Sequence, residues 1–92
     1  MTQLAWHQQQ HTLILQGVLD QFTLLPFWQQ FHHNWDQQIT ILDVSTISQI
    51  DSAGLAMLTY FVNQYQLQLN GITTTLMTLI KLYNLQQVLN IK

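Results

Sequence analysis

The chain has 92 residues, a mass of 10.8 kDa and only 7% charged side chains, two Lys and four Asp with no Arg or Glu, where a soluble domain ordinarily carries about 25%. A net charge of −2 without a basic cluster excludes nucleic acid as a partner, because phosphate binding needs grouped Lys or Arg. The absence of Cys removes disulfides and thiolate chemistry, while 48% hydrophobic residues exclude disorder.

In chain order, Leu4 and Trp6 alternate with polar neighbours and residues 11–16 (HTLILQ) read as a strand. Together they predict a hairpin across Gln8-Gln9-Gln10, ended by Gly17. Asp20 is placed to cap the next element, and Pro26 suits the first turn of a helix on which Leu25, Trp28, Phe31 and Trp35 recur. Residues 39–44 (ITILDV) form the compact β-branched run of a central strand, with Ile47 and Ile50 continuing through a short connection. Asp51-Ser52 then opens a helix over 53–69, closed by Asn70-Gly71 with the glycine left-handed. Residues 72–78 (ITTTLMT) alternate as a strand, and a last helix runs from 78 or 79 to 89 with a break near Asn84. The order β-β-α-β-α-β-α predicts an α/β fold: one domain over residues 1–92, with a small mixed, mainly parallel sheet covered by about three helices.

Residues 1–11 hold no basic residue and no apolar run, so no signal peptide is expected. No stretch approaches the ~18 apolar residues of a membrane span, and a cytosolic domain without direct membrane insertion is the expectation. Catalytic chemistry is not expected either. Asp20, Asp36, Asp43 and Asp51 form no pair in sequence, and the glycines are isolated. His7 and His11 sit in a hairpin, and His32 and His33 are adjacent, so all four read as surface histidines without a metal. Ser52 lacks the G-x-S-x-G turn of a hydrolase nucleophile. No cofactor is expected.

The segment Asp51-Ser52-Ala53-Gly54-Leu55 is the informative one. It admits two compatible readings. In one, a side-chain oxygen caps the helix, contributing about 1 kcal/mol. In the other, a hydroxyl at the helix start serves recognition or phosphorylation, where free amides and the dipole favour a phosphate. Ala53 and Gly54 are small, which predicts a close approach to another backbone. Along the helix, Leu55, Leu58, Val62, Tyr65 and Leu69 make a core stripe. Ala53, Ala56, Tyr60 and Leu67 lie opposite, with Met57 and Gln64 on the flank. A solvent face normally carries Lys and Glu; this one carries small and aromatic residues, as a binding face does. Leu79, Leu82 and Tyr83, around Lys81, extend it.

Asp51-Ser52-Ala53-Gly54-Leu55 resembles the D-[ST]-x-G-L segment of STAS domains, whose hydroxyl residue is the regulatory position. The predicted element order agrees with that fold across nearly the whole chain. Gly17-Val18-Leu19-Asp20-Gln21, Leu24-Leu25-Pro26-Phe27-Trp28 and Lys81-Leu82-Tyr83-Asn84-Leu85 are similar to the STAS subunits of the Mla phospholipid-transport ABC complex of Gram-negative bacteria. The resemblance implies a non-enzymatic accessory subunit, cytoplasmic and peripheral on the inner membrane, that helps maintain outer-membrane lipid asymmetry. Its expected partner is an MlaF-like ABC transporter ATPase subunit and, indirectly, MlaE-like permease and MlaD-like lipid-binding subunits. The partner-binding residues expected here are Asp51, Ser52, Ala53, Ala56, Met57, Tyr60, Lys81 and Tyr83. Ser52 stands where these relatives often have Thr, and serine is the form also usual in phosphorylated antagonists. The other reading of the resemblance is therefore an anti-sigma-factor antagonist regulated by phosphorylation of Ser52.

Overall fold

A computed structural model describes residues 3–91. Met1, Thr2 and Lys92 lie outside the described residues. Strand β1 (Leu4–Gln9) turns through Gln10-His11 into β2 (Thr12–Leu19), and the two pair antiparallel. The turn falls later than expected because Gln10 takes the left-handed conformation, φ 57°. After α1 (Leu24–Phe31), β3 (Ile41–Ile50) pairs parallel to β2. After α2 (Ser52–Tyr65), β4 (Gln68–Asn70) pairs parallel to β3, and α3 (Thr74–Leu82) follows. The sheet order is β1-β2-β3-β4, as right-handed crossovers through helices require for parallel neighbours.

Strand alternation divides the sheet into two faces. Leu13 and Leu15 of β2 and Leu42 and Val44 of β3 are buried, and Trp6 and Leu69 pack against them from the outer strands. The opposite face carries Thr12, Gln16, Asp43 and Ser45 and stays open to water. One core cluster joins the buried strand residues to Phe27 and Phe31 of α1, Leu55, Leu58, Phe61 and Val62 of α2, and Leu76 and Ile80 of α3. The helices therefore cover a single face.

Several local expectations are corrected. Gly17 does not end β2; it lies inside the strand at φ 95°, beside a shift in the register with β3. The buried residues of α1 are Phe27 and Phe31, whereas Leu25 is exposed and Trp35 follows the helix, stacked 4.8 Å from Tyr65. Ile47 and Ile50 belong to β3 itself. Helix α2 stops at Tyr65, four residues before the expected end, with Gln66 rather than Gly71 in the left-handed cap. Pairing of Leu69 with Leu42 claims the following residues for β4, so tertiary pairing overrides helix propensity. The expected strand over 72–78 is instead the start of α3. The Thr73 hydroxyl accepts the Leu76 N–H at 3.2 Å, and Leu76 and Ile80, four apart, reach the core. Threonine alternation imitates a strand where the threonines are a cap and its first turn.

A candidate docking site at the start of the second helix

Asp51 is the N-cap of α2. Its Oδ1 accepts the Gly54 N–H at 2.9 Å, and its Oδ2 accepts the Gln21 N–H at 3.1 Å from the loop before α1. Asp20 acts similarly in that loop, its Oδ1 accepting from Phe22 (2.9 Å) and Thr23 (3.0 Å). The capping role thus belongs to Asp51, which leaves the exposed Ser52 hydroxyl outside the cap. Asp51→Ala should lower stability by about 1–2 kcal/mol, since the part-buried Gly54 amide and the exposed Gln21 amide lose their acceptor. Ser52→Ala should stay within about 0.5 kcal/mol. Urea unfolding of the two variants checks this, and equal losses would return the cap to Ser52.

The close approach expected at Ala53-Gly54 is made by Gly54. A Cβ there would stand 2.8 Å from Leu19 Cγ and nearer still to the Leu19 carbonyl oxygen. Glycine therefore lets α2 start directly on the end of β2. Ala53 is half-buried.

Beyond this start, Ser52, Ala56 and Tyr60 share the outward side of α2 with Asn63 and Gln64. Met57, expected on the flank, is 4% exposed and belongs to the core, and Leu67 is buried beyond the end of α2. The reason is the width of the buried arc. At 100° per residue, the buried side from Met57 round to Leu55 spans about 160°, because α2 packs between α1, α3 and the sheet. The outward stripe is correspondingly narrower than the sequence pattern suggests.

Ser52, Leu55, Ala56, Tyr83 and Leu85 line one shallow depression of about 280 Å³. Asn84, left-handed at φ 56°, turns the chain at the end of α3, and the Leu85 N–H donates to the Ile80 carbonyl at 2.9 Å. This turn brings Tyr83 and Leu85 to the start of α2. Tyr60 lies further along, 4.8 Å from Trp28 between ring centroids. Lys81 is exposed on the last turn of α3, outside the depression, and complements the helix dipole there. Asp51 lines a separate hollow with Asp20, Ser48 and Thr75.

Leu82, expected to extend the face, is 69% exposed. Three further apolar residues that had not been singled out as site residues extend this surface or its surroundings: Leu85 in the depression, and Phe22 (81%) and Leu25 (52%) around the start of α1. Phe22 was legible as a large apolar residue inside a polar loop. A larger hollow, about 520 Å³, lies beside β4 and residues 89–91 but touches none of the expected residues. The smaller one is the better candidate because it joins two separate motifs, Asp51–Leu55 and Lys81–Leu85.

Among the described residues, no three His, Asp or Glu gather as a metal site, and no helix is long and apolar enough to cross a membrane. Residues 2–90 match the family described as "Mlab, STAS domain". The chain belongs to this STAS family. It is 39% identical over 87 residues to the Escherichia coli (strain K12) "Intermembrane phospholipid transport system binding protein MlaB", the match covering 89% of each chain. The protein of the same name from Shigella flexneri matches to the same extent. With four strands and three helices, the STAS fold expected from the element order is the one observed.

Proposed function

We propose that this STAS domain is an accessory subunit of a phospholipid-transport ABC complex and docks on its ATPase subunit through the depression formed by Ser52, Ala56, Tyr83 and Leu85. The observation that carries this reading is the meeting of the two motifs in one uncharged, outward-facing surface, within a chain similar over most of its length to proteins named for intermembrane phospholipid transport. The centre of a desolvated interface is depleted of charged residues and enriched in aromatic ones such as Tyr83. Leu82 and Tyr60 extend the apolar area, and Lys81 supplies a charge at the rim, where it guides orientation more than affinity. In this role the domain holds no nucleotide and no lipid. It is located on the cytoplasmic side of the inner membrane through its ATPase partner, with the permease and the lipid-binding subunit reached only indirectly.

The test is co-purification with the ATPase subunit. Ala56→Arg places a charged side chain in the depression and should weaken binding by about 2–4 kcal/mol, roughly 30-fold or more. Because Ala56 is exposed, the variant's thermal midpoint should stay near that of the parent. Undiminished binding by Ala56→Arg would reject the docking surface. The exposed Ser52, free of the capping role, also favours a second reading: an antagonist released by phosphorylation, with the phosphate held at the amide end of α2. An intact mass that never gains phosphate in ATP-supplemented extract eliminates it.

A further inference from the structure

The helices close one face of the sheet, but its two edges differ. β4 offers three residues, β1 six. The Val18 N–H donates to the Gln3 carbonyl at 2.9 Å, and the register from Leu4↔Gly17 to Gln9↔Thr12 runs without a break. That fixes the phase of the ladder: Ala5, His7 and Gln9 turn their peptide groups towards β2, while Leu4, Trp6 and Gln8 turn theirs outward. Among the described residues, none of these three outward N–H and C=O pairs meets a backbone partner. Edge strands are ordinarily blunted by Lys, Pro, an inward charge or a bulge. Residues 4–9 (LAWHQQ) contain none of these.

We propose that β1 pairs antiparallel with β1 of a second copy of this chain, across a two-fold axis at Trp6, joining the two sheets into one. The outward phase selects the register. Trp6 faces Trp6 of the second copy and Leu4 faces its Gln8, and every such pair exchanges two backbone hydrogen bonds. On the open face the small Ala5 then lies opposite His7 of the second copy. The arrangement is isologous: the same groups are presented from either end of the strand, so one surface is complementary to itself. Neither β1 nor the β2 beneath it carries a charged side chain, and the chain's net charge is only −2, so no like-charge contact opposes the approach. A foreign strand would need pockets or charges to specify it. The only charge held by a β1 side chain among the described residues is the Asp36 carboxylate, which accepts from Gln8 Nε2 at 3.2 Å. The two-fold axis sets that carboxylate beside Leu4 of the second copy, away from the second Asp36. The dimer surface shares no residue with Ser52, Ala56, Tyr83 and Leu85, so it stands or falls independently of the docking proposal.

Sedimentation equilibrium on the 92-residue chain from about 5 to about 500 µM tests the pairing, together with amide exchange at both concentrations. The mass should rise from 10.8 kDa towards twice that value. The amides of Leu4, Trp6 and Gln8 should exchange about tenfold more slowly at the higher concentration, and those of Ala5, His7 and Gln9 slowly at both. Gln8→Pro deletes an outward donor while sparing the bonds to β2, and should restore the monomer mass. A monomer at every concentration overturns the proposal. So does a dimer whose three outward amides exchange at an unchanged rate, since it must form through another surface; this readout needs no variant to fold.

Discussion

Gly54→Ala should lower the unfolding free energy by about 2–4 kcal/mol, seen as an earlier urea midpoint with an unchanged slope. The Leu19 carbonyl oxygen lies directly beneath Gly54 and accepts the Asp51 N–H at 3.3 Å. It cannot move away without disturbing the parallel pairing of Leu19 with Ile50. Helix propensity acts the other way, favouring alanine by about 1 kcal/mol. A net loss therefore measures the contact between α2 and the end of β2. A gain in stability would show that α2 lifts off β2 freely and would remove the physical reason for glycine in the Asp51–Leu55 segment.

Phe61→Ala should cost about 3–5 kcal/mol, a large part of the stability of a domain this small. The ring is fully buried and lies 5.4 Å from Phe27, 5.7 Å from Trp28 and 5.2 Å from Trp35 between centroids. It connects α1 and the segment after it to α2, and pairs of this kind, edge-to-face with Phe27 and Trp28 and stacked with Trp35, add to simple area burial. Tyr60→Ala, one residue away, should cost about 1 kcal/mol, since Tyr60 is 38% exposed. Loss of near-ultraviolet circular dichroism in Phe61→Ala, with Tyr60→Ala close to the parent, is the expected pattern. Equal effects would mean that the aromatic cluster does not fix α1 on α2.

Phe61 also shows where sequence periodicity runs out. A narrow core stripe accounts for Leu55, Leu58 and Val62 but omits Phe61 and assigns Met57 outward, because periodicity carries no information on how many neighbours surround a helix. The start of α2 was legible because its signals are local: a capping carboxylate, then a glycine that spares a clash. Its end was not, since Gln66 gives no hint of a left-handed residue and β4 exists only through pairing with β3. The threonines at 73–75 favour strand by propensity and helix by capping, and the burial of Leu76 and Ile80 decides for the helix. Within the site, Ser52, Ala56 and Tyr83 were legible one motif at a time. That they share a depression follows from the turn at Asn84, which neither motif encodes alone.

The two left-handed glutamines, Gln10 at φ 57° and Gln66 at φ 55°, bear on how such a protein adapts. A side chain in that conformation costs about 1 kcal/mol relative to glycine. Both residues lie in turns outside the depression lined by Ser52, Ala56 and Tyr83. Heat tolerance can therefore evolve by rebuilding turns while the proposed docking surface stays constant, so related domains can drift in melting temperature without altering that surface.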